Sequence, residues 1–135
     1  MKQVMQTDFG DKTGNCLQAC IASLFELPLE AVPNFVSVRN WRFALRQWLA
    51  ARGLGGVWIP ATALVLSLLP PEQPLLVVGV SPRSTADQLV HHAVLYQGEN
   101  LVHDPHPSGE GVLTIESVCF FAPLRLQDCR AQEEG

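Results

Sequence analysis

The sequence lacks a run of basic residues, and its 135 residues carry a formal net charge of -4 at pH 7. Nucleic acids and anionic membrane surfaces attract proteins through clustered lysine and arginine side chains. We therefore expect neither a nucleic acid nor a membrane to be the main partner of this chain.

A long hydrophobic segment is also missing. The N-terminus, residues 1–8, has no apolar stretch of the length found in secretion signals. The longest apolar stretch, residues 61–69, is interrupted by Thr62 and Ser67 and is far shorter than a membrane span of about 20 residues. We therefore expect the protein to be cytoplasmic.

Cysteine is scarce, with four residues at Cys16, Cys20, Cys119 and Cys129. An even number could form two disulfides, but without a secretion signal reduced thiols are the expected state. Cys119 follows a valine in a strand-like stretch and Cys129 lies in a polar tail. We expect both of these to be structural or incidental.

The chain shows no internal repeat and no linker, and its length suffices for one hydrophobic core. We therefore predict a single domain over residues 1–135, with a polar tail from residue 127 that is frayed. Periodicity and turn residues predict helices at 16–26 and 40–52. Residues 63–69 could form a helix or a strand, and their Leu and Ala content favours a short helix. The same signals predict strands at 57–59, 75–80, 90–96, 101–104, 112–115 and 118–121. This order indicates an α+β fold in which N-terminal helices pack on an antiparallel sheet.

Three residues stand in the order that thiolate nucleophiles use. Cys16 follows Asn15, a plausible helix N-cap, and begins an apolar helical stretch. His92 lies on a predicted strand, and Asp104 ends the next strand. A helix N-terminus and a nearby imidazolium favour the thiolate form of a cysteine. The histidine can protonate a leaving amine, and the carboxylate can hold the ring in place.

The partner of Asp104 depends on the register of the hairpin that joins these two strands. A three-residue loop with a bulge at Gly98 pairs His92 with Asp104 on one face. A regular loop of two or four residues instead places Asp104 on the face of His91. His91 is therefore the alternative base.

These motifs resemble the papain-like cysteine peptidases, and among them the compact bacterial members that process bacteriocin leader peptides. The similarity rests on Cys16 with Ala19 in the helix, the strand His92-Ala93-Val94-Leu95, and Asp104-Pro105. It implies a papain-like fold and a Cys-His-Asp triad that cleaves a peptide or isopeptide amide through an acyl-enzyme. It implies a peptide or protein substrate, and neither a cofactor nor a metal ion.

The family usually has Asp-Cys-Gly at the nucleophile and an oxyanion-hole glutamine about six residues earlier. This chain has Asn15-Cys16-Leu17, with Gly10 six residues before the cysteine. Gln6 is the nearest earlier glutamine and could reach the site if residues 7–14 loop out. We expect its side chain and the Cys16 amide to donate to the developing oxyanion. The alternative is that Gln6 is a solvated residue of an N-terminal arm.

Other interpretations of the same residues remain open. Cys20 lies four residues after Cys16, and with His91, His92, His103, His106 and Asp104 it raises the possibility of a zinc site, although Cys-x3-Cys inside a helix matches structural zinc spacing poorly. We therefore interpret Cys20 as a core residue rather than a zinc ligand. We interpret His103 and His106 as surface polar residues at a strand end and in a loop. Trp41, Trp48 and Trp58 are predicted to lie in the core.

Two alternative functions use the same fold. A glutamine deamidase or a transglutaminase-like effector would form the same thioester with the same triad, and ammonia release would distinguish it from chain cleavage. A catalytically inactive papain-like module that binds a peptide tail is the non-enzymatic alternative. An unreactive Cys16 would favour that third interpretation.

Overall fold

Three α-helices and five β-strands form the part of the chain that the computed structural model describes, residues 1–10 and 14–124. The helices are α1 (Cys16–Phe25), α2 (Trp41–Ala50) and α3 (Ala63–Leu66). The strands are β1 (Leu54–Pro60), β2 (Pro74–Val80), β3 (His91–Gln97), β4 (Asn100–His103) and β5 (Thr114–Pro123). None of the described helices is long and apolar enough to cross a membrane. The polar tail from residue 127 and Cys129 lie outside the described residues.

The five strands form one antiparallel sheet with the order β1-β5-β2-β3-β4. Together with the helices, this sheet confirms the α+β class. The two short strands predicted at 112–115 and 118–121 are wrong, because residues 114–123 form one continuous strand. Glu116 and Ser117 lie between the two predicted strands. They continue the strand because β5 is central and pairs with β1 on one side and β2 on the other.

Helix α1 forms where the sequence predicts it. Leu17, Cys20 and Ile21 recur at helical spacing and are buried against the sheet. The helix ends because Glu26 takes a left-handed conformation with φ 55° and the Leu27 amide donates to the Ala22 carbonyl at 2.9 Å. The inward stripe fixes the rotation of the helix on the sheet, and this places the first helical residue at the edge of the core.

Both faces of the sheet are covered. Helices α1 and α2 pack on one face, where the buried sheet residues are Leu76, Ala93, Leu95 and Cys119. The other face carries Leu66 of α3, Ala61, Leu75, Val77, Val94 and Val118. The segment at 63–69 therefore contains the short helix that was expected. Because β2 and β3 contribute to both cores, they are apolar along most of their length.

The hairpin of β3 and β4 contains a bulge that places Asp104 on the face of His92. The loop length and the position of the bulge differ from the prediction. Gln97 pairs with Asn100, so the loop has two residues, and Gly98 opens it with a positive φ of 60°. The bulge does not lie at Gly98. It lies deeper, where Leu95 pairs with His103 although Tyr96 pairs with Leu101. The extra residue brings the end of β4 to the side of His92 rather than His91.

Gly79 provides a test of the sheet packing. It lies at the register shift between β2 and β5, and a Cβ atom there would collide with the backbone carbonyl oxygen of Thr114. Because backbone atoms of a central strand cannot move aside easily, we expect Gly79→Ala to lower the free energy of unfolding by about 2 to 3 kcal/mol, measured by urea denaturation.

The matched control is Gly55→Ala in the edge strand β1. The closest atom to a Cβ there is the terminal Cδ2 of Leu124, at 3.1 Å, and this side chain can rotate away; the Ala122 carbonyl oxygen, at 3.9 Å, is at ordinary van der Waals distance. We expect this change to alter the free energy of unfolding by less than about 1 kcal/mol. Equal effects of the two substitutions would show that the tight contact at Gly79 does not constrain the sheet.

Candidate active site

Cys16 begins helix α1, and its partly exposed thiol lines an open cleft of about 730 Å³. The residue before it, Asn15, occupies the N-cap position, and its carbonyl accepts the Ala19 amide at 3.0 Å. The Asn15 side chain does not cap the helix. Its Oδ1 instead accepts the amides of Thr7 and Asp8 at 2.9 and 2.8 Å. Asn15 therefore fixes the N-terminal arm, residues 1–10, beside the candidate nucleophile Cys16.

His92 and Asp104 form a buried pair in which Nε2 lies 2.7 Å from Oδ1. Asp104 also accepts two backbone amides, from His106 at 2.9 Å and from Gly111 at 2.8 Å. Burial raises the pKa of Asp104, but the hydrogen bonds from His92, His106 and Gly111 outweigh this effect and leave the pKa below its usual value. The carboxylate is therefore ionised at neutral pH.

The His92 ring connects this carboxylate to Cys16. Burial lowers the pKa of His92, whereas hydrogen bonds with Asp104 and with the Cys16 thiol raise it, and the resulting pKa is about 9. Because Asp104 occupies Nε2, Nδ1 is the ring nitrogen that is left for an interaction with Cys16. His92 is therefore an imidazolium at neutral pH, and it interacts with Cys16.

The other histidines have different surroundings. His91 is exposed and pairs with Glu116 at 2.8 Å, so it is not the partner of Asp104. His103 was predicted at the surface, and this is wrong. It is buried, and its Nε2–H donates to the Val4 carbonyl at 2.7 Å, because the arm covers the end of β4.

His106 lies at the wall of the cleft. Its ring meets those of Phe9 and His92 edge-on, with centroids 5.2 and 6.2 Å apart. Burial, together with the charges of Arg83 and His92, lowers the pKa of His106, and Nδ1 accepts the Ser108 amide at 3.0 Å. The neutral ring therefore carries its proton on Nε2.

Gln6 is not a solvated residue of the arm, because only 8% of it is exposed. Its backbone amide donates to the Pro105 carbonyl at 3.0 Å, and its side-chain Nε2 donates to the Asp8 carbonyl at 3.1 Å. The Asn15 amide donates to the same Asp8 carbonyl at 3.1 Å, so Asp8 is bonded to both Gln6 and the residue before Cys16. Gln6 and Cys16 line the same cleft.

The side-chain amide of Gln6 is only partly paired. Its Oε1 is buried and has no hydrogen-bond partner among the described residues. One Nε2 hydrogen goes to Asp8, and this bond fixes which end of the amide is the nitrogen. The second Nε2 hydrogen remains available to a group in the cleft.

The two other described thiols are core groups. Cys20 is fully buried, and its Sγ contacts the Ala93 carbonyl at 3.4 Å. Burial raises the pKa of Cys20 well above its usual value and that of Cys119 to about 12. Within the described ranges, no three His, Cys, Asp or Glu side chains are grouped so that they could hold a metal ion.

The tryptophans are half-buried rather than fully enclosed. Trp48 packs edge-on against Phe25 and Phe35 at the core under α2. Trp41 pairs edge-on with Trp58, with ring centroids 5.9 Å apart, and Trp41 also lines the cleft. A solitary tryptophan in a sequence does not distinguish a core position from a cleft wall.

Comparison with protein-family models, with curated proteins and with solved structures gives no match for this chain. Any function for it therefore rests on the chemistry of its own side chains.

The His92–Asp104 pair makes stability depend on pH. The pKa of His92 is about 9 in the folded chain and about 6.5 when the ring is exposed to water. The stabilisation is therefore complete below pH 6.5 and disappears as the pH rises through about 9. We expect His92→Gln to remove up to about 3 kcal/mol of this pH-dependent unfolding free energy.

The measurement is urea denaturation of wild type and variant between pH 6 and pH 10. His91→Gln is the control, because His91 is exposed and pairs with a different carboxylate. The His91→Gln variant should keep the wild-type dependence of the unfolding free energy on pH. A His92→Gln variant with the wild-type slope would contradict the elevated pKa of His92.

Proposed function

We propose that the chain is a thiol hydrolase with a papain-like fold and mechanism, in which Cys16 is the nucleophile. His92 is the general base and acid, and Asp104 holds its ring. The observation that carries this proposal is the buried His92 ring, which is bonded to the Asp104 carboxylate at 2.7 Å and interacts electrostatically with Cys16. An enclosed ion pair with no other described role is a feature of catalytic sites.

The proposed reaction begins when the Cys16 thiolate attacks the carbonyl carbon of an amide. The oxyanion that forms accepts hydrogen bonds from the Cys16 amide and from Nε2 of Gln6. His92 donates its proton to the leaving nitrogen, the C–N bond breaks, and a thioester remains on Cys16. Water then attacks the thioester while neutral His92 takes its proton, which releases a carboxylic acid and restores the ion pair.

The substrate in this proposal is a peptide or isopeptide bond of a polypeptide. The cleft is open and about 730 Å³ in volume, with walls from the arm, from α2 and from the loop between β2 and β3. An extended peptide can lie across such a cleft with its carbonyl at Cys16. The chemistry requires neither a metal ion nor an organic cofactor.

Selective alkylation tests the nucleophile. At pH 7 we expect iodoacetamide to label Cys16 at least about tenfold faster than Cys20 or Cys119, because those two thiols are buried and protonated. His92→Ala should slow the labelling of Cys16 about tenfold, because the imidazolium is lost. Intact mass and peptide mapping measure both rates.

Two control variants belong to this experiment. Cys129→Ser removes the thiol that lies outside the described residues, and Cys16→Ala should abolish the fast label. His91→Gln should label like wild type, since His91 pairs with Glu116. Equal labelling of all the thiols, or fast labelling that survives His92→Ala, would contradict the ion pair. A Cys16 that reacts no faster than the buried thiols would leave a peptide-binding module as the remaining interpretation.

The role of Gln6 can be separated from that of Cys16. Acylation by p-nitrophenyl acetate passes through an oxyanion, whereas alkylation by iodoacetamide does not. We therefore expect Gln6→Ala to slow acylation of Cys16 about 100-fold while alkylation stays at the wild-type rate. Gln3→Ala, at an exposed position of the same arm, should change neither rate. Wild-type acylation in Gln6→Ala would show that Gln6 is not an oxyanion donor.

A further inference from the structure

We propose that the cleft selects a polypeptide segment with acidic side chains near the scissile amide, and that Arg42 and Arg83 provide this selectivity. The inference rests on the proposed function, because it concerns what binds beside Cys16. Both arginines line the same cleft as Cys16. They come from different walls, one from α2 and the other from the loop between β2 and β3.

The charge balance of the cleft is the first argument. Among the described residues that line it, Glu116 is the only carboxylate, and it lies 2.8 Å from His91 Nε2. Arg42 and Arg83 are the positive groups that no described carboxylate pairs with, whereas the charge of His92 is balanced by Asp104. The whole chain has a net charge of -4, so a positive cleft is a local departure from the overall charge. Such a cleft concentrates anionic groups.

Arg42 is held in place without a carboxylate. Its guanidinium carbon lies 5.3 Å from the Trp41 ring centroid and 5.4 Å from that of Trp58. Contact with two aromatic faces restrains the side chain and uses none of its N–H donors. In the described part of the chain no Asp or Glu pairs with Arg42. A restrained guanidinium with open donors is suited to a carboxylate.

Arg83 lies on a loop with a fixed backbone. The Ser81 amide donates to the Val90 carbonyl at 2.8 Å, and the Val90 amide donates to Ser84 Oγ at 2.9 Å, so the loop is closed at its base. The Arg83 guanidinium donates to Ser108 Oγ at 3.2 Å, and no described carboxylate pairs with it. Its charge acts on His106, which meets the His92 ring. Arg83 is therefore on the imidazole side of the cleft.

Matched peptide probes test this inference on the full-length chain. Each pair is a tetrapeptide chloromethyl ketone with Glu or Gln at one of the three positions before the ketone residue. At low salt we expect at least one Glu probe to label Cys16 about three- to tenfold faster than its Gln partner. The ratio should approach one at about 0.5 M salt, where surface charges are screened.

Charge variants assign the preference to the two arginines. Arg42→Gln and Arg83→Gln should each reduce the Glu/Gln ratio, and the double variant should abolish it. Arg42→Lys and Arg83→Lys keep the positive charge, and each should retain part of the Glu/Gln ratio. Arg46→Gln is the matched control, because Arg46 is exposed on α2 outside the Cys16 cleft and should keep the full ratio.

A second measurement covers the leaving-group side, which the ketone probes do not occupy. An alternating Ala-Glu decapeptide should protect Cys16 from iodoacetamide better than an alternating Ala-Gln decapeptide. Equal rates and equal protection, with Cys16 still selectively alkylated, would overturn the acidic preference and leave the hydrolase proposal intact. A Glu preference that persists in the double arginine variant would overturn the assignment to Arg42 and Arg83. Loss of selective alkylation by iodoacetamide would overturn both proposals.

Discussion

The buried bond between His92 and Asp104 is the constraint on which the rest of the site depends. Two charged groups removed from water are stable only when their remaining hydrogen-bonding positions are filled. The backbone amides of His106 and Gly111 fill those positions on Asp104, so the loop after β4 must fold over the carboxylate. The bulge in the hairpin is required as well, because a regular register would turn the end of β4 toward His91. The geometry of the His92–Asp104 pair thus depends both on the β3–β4 hairpin and on the loop that follows β4.

The N-terminal arm is part of the same site although it has no regular secondary structure. Polar side chains of the folded core bind its backbone at successive points: Ser23 Oγ accepts the Val4 amide, His103 donates to the Val4 carbonyl, and Asn15 accepts the Thr7 and Asp8 amides. These contacts join the arm to α1 and to the end of β4. Because the arm is held at both places, Gln6 is buried beside Cys16 instead of moving in solvent.

Much of the fold and half of the site could be predicted from the sequence, because those parts depend on local signals. The apolar period of α1 predicts the helix, and a strand with a histidine at its start predicts β3. The position of the bulge could not be predicted, since Gly98 carries the visible turn signal while the extra residue is absorbed beyond Tyr96. The role of His103 was missed for a related reason. Its partner is a backbone carbonyl 99 residues away, and no pattern near His103 indicates it. The sequence also could not predict that Arg42 and Arg83 line one cleft, because only the fold brings them together.

Burial explains why two cysteines four residues apart on one helix have different chemistry. Cys20 lies one turn inside α1, against the Ala93 carbonyl, where desolvation keeps its sulfur protonated. Cys16 lies at the first helical residue, where the sheet no longer covers the helix and the free backbone amides of the helix start favour negative charge. The helix therefore supplies hydrophobic anchoring from its interior and an electrostatic site from its end. The buried residues Leu17, Cys20 and Ile21 hold α1 against the sheet, and this packing positions Cys16 relative to His92. In this arrangement the stability of the core and the geometry of the proposed nucleophile cannot be changed independently.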